Sequence, residues 1–104
     1  MVTLTPPLFS QGTLHLLAAF PSQWDRTLKE LQAVWKPDDQ LLLLADGAQG
    51  WADAALKTFG KVGMLQSDAQ ELPLPDPLPD YLVLVSPHEW SNYVLAYPRC
   101  LMWR

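Results

Sequence analysis

The stretch Asp38 to Trp51, "DDQLLLLADGAQGW", runs from two carboxylates through four consecutive leucines into Ala45-Asp46-Gly47. The apolar run does not alternate with polar residues. That pattern suits a strand covered on both faces, as in a parallel sheet with helices on either side. The Asp-Gly pair then falls at the strand's carboxyl end, where open α/β sheets place ligands and partners. No Gly-x-Gly-x-x-Gly and no Gly-Lys-Ser/Thr follows, so this is not a phosphate loop. The simplest structural expectation is that Asp46 caps a following helix and Gly47 permits a tight turn. The paired acids Asp38 and Asp39 read as solvated turn residues ahead of the strand.

Working outward, the rest of the chain falls into the same alternation. "TLHLLAAF" (Thr13 to Phe20) is a first apolar strand. In "PSQWDRTLKELQAVWKPDD", Trp24, Leu28, Leu31 and Trp35 recur at helical spacing, with Ser22 as a candidate cap and Pro37 as the stop. The leucine strand spans Gln40 to Ala45. After it, "DGAQGWADAALKTFG" reads as a second helix with Trp51, Ala55, Leu56 and Phe59 on one side and Gly60 just past its end. "KVGMLQ" (Lys61 to Gln66) is a shorter strand. "SDAQELPLPDPLPD" (Ser67 to Asp80) is an extended, proline-rich connection with room for one helical turn at its start. "YLVLVS" (Tyr81 to Ser86) is a fourth strand. Ser86, Pro87 and Glu89 then form a helix start with a capping box, and Trp90, Tyr93, Val94 and Tyr97 line the helix's inner face. Pro98 ends it, and "RCLMW" (Arg99 to Trp103) is a closing strand. The expected fold is therefore α/β: a single-domain three-layer sandwich with a mostly parallel, four- to five-stranded sheet flanked by helices. Residues 1–12, broken by "TPP", read as an N-terminal arm ahead of a domain spanning 13–104.

Composition limits the function classes. The 104 residues are 49% hydrophobic and only 17% charged, with five Trp, three Tyr and three Phe. Such a chain fills a core well or hides apolar surface against another subunit, and composition alone leaves both open. Net charge is −4 and the seven Lys and Arg are scattered, so direct nucleic-acid binding is not expected. The N-terminus lacks the pattern of a signal peptide and no apolar run is long enough to span a bilayer, which makes a cytoplasmic protein the expectation.

Candidate chemistry is sparse. His15 lies within the first strand and His88 in the first turn of the last helix, and nothing places carboxylates around them at metal-ligand spacing. His15 reads as a core or subunit-contact histidine with one satisfied nitrogen. Cys100 is the lone cysteine. As a sulfur-carrying nucleophile it would need a cation or helix N-terminus to lower its pKa, but Arg99 points to the opposite face of the strand, and "CLMW" reads as a buried edge. No Gly-x-Ser-x-Gly elbow is present. The residues favour a non-catalytic domain with no cofactor, metal or small-molecule ligand.

"TLHLL", "DQLLLLADGA" and the closing Trp after a Tyr/Val-rich helix together resemble the TusB/DsrH family. The features fall on Leu14-His15, Leu41 to Gly47, Trp90, Val94 and Trp103, in order over residues 13 to 103. The resemblance implies a DsrE/DsrF/DsrH-like fold. It also implies a heterohexamer with TusC-like and TusD-like subunits, relaying persulfide sulfur from a TusA-like donor to a TusE-like acceptor for 2-thiolation of the tRNA wobble uridine. In the sulfur-oxidiser branch a similar complex serves dissimilatory sulfur metabolism. Family members that carry sulfur hold a cysteine in the loop after the first strand. Here that loop, "LAAFPSQW", has none, which points to a structural subunit. His15, Asp46, Gly47, Trp51, Trp90 and Trp103 are the expected partner-contact residues. Two rival readings stand beside this one: a persulfide-carrying sulfurtransferase using Cys100, and an α/β interaction domain unrelated to sulfur.

Overall fold

The computed structural model describes residues 11–104. The expected N-terminal arm therefore lies, through residue 10, outside the described residues. Five strands form one sheet: β1 (Thr13–Leu17), β2 (Gln40–Leu43), β3 (Val62–Leu65), β4 (Leu82–Val85) and β5 (Arg99–Trp103). Their spatial order is β4-β3-β2-β1-β5, and every neighbouring pair is parallel. The expected three-layer α/β sandwich is thus present, with a sheet that is wholly rather than mostly parallel.

The order of the strands explains the layers. From β1 to β4 each connection steps one strand in the same direction, so right-handed crossovers put the intervening segments on one face. These segments are α1 (Trp24–Val34), three 3-10 helices (Pro21–Gln23, Ala45–Gly50 and Ala54–Phe59) and α2 (Gln66–Ala69). The last connection reverses and crosses the whole sheet, carrying α3 (Pro87–Ala96) over the opposite face. Packing follows the pleat. Leu41 and Leu43 of β2 join Leu17, Val62, Met64, Leu82 and the α1 residues Trp24, Leu28 and Leu31 in the larger core. Leu42, between them, points the other way and joins Leu14, Val85, Tyr93, Ala96 and Tyr97 under α3. All three leucines are fully buried, each worth about 1.5–3 kcal/mol of apolar transfer.

Local starts and stops differ from expectation in instructive places. α1 begins one residue after Gln23, and Ser22 sits in a 3-10 turn without capping it. The entry is held instead by Trp24 Nε1, which donates to the Ala19 carbonyl at 2.9 Å. The expected helix after β2 is not an α-helix. It is two 3-10 segments, Ala45–Gly50 and Ala54–Phe59. Gly47 and Gly50 weaken the first as a helix by about 1 kcal/mol each. Asp53 then restarts the chain, accepting the Ala55 N–H at 2.9 Å. Gly60 ends the segment with φ +75°, as a residue past a helix should. At α3 the expected capping box forms: Ser86 Oγ accepts the Glu89 N–H at 3.2 Å, and Glu89 Oε1 accepts the Ser86 N–H at 3.0 Å. Its inner face is Tyr93, Ala96 and Tyr97 with half-buried Trp90, whereas Val94 faces solvent. Val94 lies one position from the buried stripe, and a 3.6-residue period carries it outward.

Candidate functional site

One constellation of polar side chains is assembled in the interior, and it spans three separated stretches of sequence. Asp39 ends the link between α1 and β2, His15 sits mid-β1, and Trp103 ends β5. His15 Nε2 lies 2.8 Å from Asp39 Oδ2, and Trp103 Nε1 donates to His15 Nδ1 at 3.0 Å. An indole nitrogen can only donate. His15 Nδ1 is therefore the acceptor, and Nε2 carries the proton that His15 donates to Asp39. Both imidazole nitrogens are used, against the expectation of one. The side chains of His15 and Asp39 are 1% and 2% exposed.

Asp39 is the anchor of this chain. Its Oδ1 accepts the Thr13 N–H at 2.8 Å, and its Oδ2 also accepts the Lys36 N–H at 3.1 Å. Burial works to raise its carboxyl, but the hydrogen bonds from Thr13, His15 and Lys36 outweigh that and hold it below the usual 3.8. The reading of Asp39 as a solvated turn residue is corrected: only Asp38 is exposed. The missed signal was register. Gln40 pairs with Leu14, so the residue before β2 lands beside the start of β1 and within reach of His15. Aromatic rings close the site, with Trp35 at 5.3 Å and Trp103 at 6.0 Å from the His15 ring and Phe59 at 4.9 Å from Trp35.

A carboxylate, a histidine and a third group in line resemble a hydrolase triad, but the third group here is an indole. Its N–H is not acidic enough to be given up, and its nitrogen has no free lone pair to attack with. The imidazole is enclosed and its tautomer fixed. The arrangement ties β1, the α1–β2 link and β5 together.

The other expected residues fall in several places. Asp46 makes no cap bond, and Leu44 rather than Asp46 precedes the 3-10 helix. The carboxylate that serves this turn is Asp68, whose Oδ2 accepts the Ala45 N–H at 2.9 Å. The left-handed residue is Ala45, with φ +50°. Gly47 is needed for a different reason than a turn: a Cβ there would run into the Leu17 carbonyl. His15 and Gly47 are buried within this chain. Trp51 is half-buried on the larger core, and its carbonyl accepts the Tyr81 hydroxyl at 2.7 Å. Trp90 lies on the opposite layer, on the inner face of α3, half-buried against the smaller core. His88 is exposed.

Cys100 is exposed, not buried as expected. Among the described residues β5 is an edge strand with no neighbour beyond it, so a strand expected to be covered is open. Even so, the protein around the sulfur strips enough water to push the thiol upward, and no cation among the described residues offsets this. That is the reverse of an activated thiolate.

The outer surface is where apolar side chains remain uncovered. On α3, Leu95 is 83% exposed with Val94 beside it, and Leu101 and Met102 are exposed on β5. Among the described residues no helix is long and apolar enough to cross a membrane. No family model and no curated protein matches the sequence.

Proposed function

We propose that this chain is a non-catalytic, cytoplasmic subunit of a TusBCD-like sulfur-relay complex that supports 2-thiolation of the tRNA wobble uridine. Its direct partners are a TusC-like and a TusD-like subunit. A TusA-like donor and a TusE-like acceptor act further along the relay. The observation that carries this reading is the exposed apolar outer face of α3, led by Leu95. A leucine this open on a regular helix, next to Val94, is surface that association would bury. The ordered features behind the resemblance are consistent with one working unit, since His15 and Trp103 are hydrogen-bonded to each other across the sheet. A structural role also fits an interior whose polar groups hold strands rather than face a substrate.

The test is the native mass of this chain co-expressed with the TusC-like and TusD-like proteins of its own organism. A stable complex containing all three supports the reading. A lone monomer, or a homo-oligomer that ignores both partners, removes it and returns attention to Cys100 and the Asp46 turn as possible sites.

The exposure of Cys100 supports a second reading, in which that thiol carries persulfide sulfur itself. Incubation with a sulfane sulfur donor should then add the mass of one sulfur atom at Cys100. Full pathway activity in a Cys100→Ser protein eliminates it.

A further inference from the structure

The sheet has two edges, and they are not alike. β4 is buried or half-buried along its length, with Leu72, Leu74 and Leu78 of the preceding connection packed onto the core. On β5 four of the five residues are exposed. Natural edges are usually blunted by bulges, inward charges or a covering loop.

The backbone of β5 shows which groups are open. The Trp103 carbonyl accepts the Ala18 and Ala19 N–H groups at 2.8 and 3.0 Å, so it points towards β1. In an extended strand the N–H and C=O of one residue point the same way and alternate along the chain. Arg99, Leu101 and Trp103 therefore bond inward, while Cys100 and Met102 turn their N–H and C=O to the open edge. Apolar side chains flank these groups on both faces of the sheet, Leu101 on one and Met102 on the other. At the two ends of the strand stand Arg99 and Arg104. Neither has a carboxylate within ion-pair distance among the described residues, whereas Arg26 pairs with Glu30.

We propose that β5 is an acceptor edge for a strand added by another protein: an extended segment with an apolar centre and a carboxylate at each end. The open amides and carbonyls of Cys100 and Met102 supply the ladder. Leu101 and Met102 take the apolar centre, and Arg99 and Arg104 take the acids. Charge argues against a second copy of this chain. A two-fold antiparallel pairing about Leu101 aligns Cys100 with Met102 of the copy, which suits the backbone. It also gathers four arginines and no acidic side chain along the seam, with Arg99 opposite Trp103 and Arg104 opposite Pro98 of the copy, so nothing there offsets their mutual repulsion. This inference goes beyond the sulfur-relay reading and does not depend on it.

The test is a nitrogen-15 NMR titration of the full chain with the capped peptide Glu-Thr-Val-Thr-Val-Glu. The expected result is saturable shifts largest at the Cys100 and Met102 amides. The same peptide with lysine at both ends should bind about fivefold more weakly, the scale of two exposed ion pairs. In a chain carrying Arg99→Glu and Arg104→Glu, exposed changes that leave the core intact, the preference should invert. The proposal is overturned if those amides do not move, if affinity ignores the charge at the peptide ends, or if the same amides shift with protein concentration alone, which would make a second copy the occupant.

Discussion

Replacing Asp39 by Asn keeps the shape of the buried anchor and removes its charge, so it tests whether that carboxylate holds β1 and β2 in place. The carboxylate accepts three hydrogens: Thr13 N–H on Oδ1, and His15 Nε2 with Lys36 N–H on Oδ2. An amide has one accepting atom. With its oxygen towards His15 and Lys36, its NH2 faces the Thr13 N–H and leaves that donor unpaired. With the amide reversed, its NH2 faces two donors. His15 could relieve one only by moving its proton to Nδ1, which would set that proton against the Trp103 indole N–H. The better arrangement leaves one buried donor unsatisfied, worth about 1–3 kcal/mol. The expected loss is about 2 kcal/mol at pH 7, a sizeable part of the roughly 5–15 kcal/mol that holds a domain together. Urea unfolding followed by tryptophan fluorescence measures it. The pH dependence gives a second handle. The Asp39 carboxyl lies lower in the folded chain than its ordinary 3.8. The unfolded state therefore takes up its proton first, and the stabilisation is fully present above that ordinary value. It is lost as pH falls through the folded value, where the protonated acid and the amide become near equivalents. The gap between the parent and Asp39→Asn should thus narrow under acid. A gap below about 0.5 kcal/mol at pH 7, the scatter of ordinary surface changes, would refute the reasoning. So would one that stays constant into acid.

Further expectations rest on independent features. Gly47→Ala should destabilise by more than about 3 kcal/mol or abolish folding, because its Cβ would meet the Leu17 backbone carbonyl; soluble yield and thermal melting report this. Tyr93→Phe should leave stability unchanged or raise it by up to about 1 kcal/mol, since the Tyr93 hydroxyl is buried with no hydrogen-bond partner among the described residues; a clear loss in denaturant unfolding would mean that the hydroxyl has a role. Ser86→Ala should cost about 1 kcal/mol by removing half of the α3 capping box, read from the same unfolding curves. Leu95→Glu should change the isolated chain by less than about 0.5 kcal/mol, yet remove the TusC-like and TusD-like partners from a native-mass spectrum if α3 is their contact.

The layers of the fold were legible because each strand core is an unbroken apolar run and each major helix has its own stripe. Leu41, Leu42 and Leu43 are buried on both sides of the sheet, as the lack of alternation required. The capping box was legible because its geometry is local, confined to Ser86 and Glu89. The site was not, because its members meet through register. Nothing near Asp39 in sequence marks it as the partner of a histidine 24 residues earlier, and two neighbouring acids before a strand ordinarily face water. The segment after β2 misled for a related reason. Trp51, Leu56 and Phe59 carry helical spacing, but Gly47 is constrained by Leu17 and Gly50 by the Trp24 ring, both distant in sequence. Cys100 was misread because an apolar strand at the end of a chain looks like an interior one until its neighbours are counted.

The strand order also bears on how the domain is made. β1 pairs on one side with β2, synthesised soon after it. On its other side it pairs with β5, synthesised much later. The indole that completes the His15 chain lies 88 residues downstream. Until it arrives, β1 is itself the sheet margin, with its second row of peptide groups bare and one imidazole nitrogen facing no donor. Closing so long a loop is slow, and bare margins invite pairing between nascent chains. Synthesis of this domain thus has a vulnerable interval that lasts until Trp103 is made, and chains truncated ahead of β5 should be recovered as aggregates rather than as shortened, folded domains.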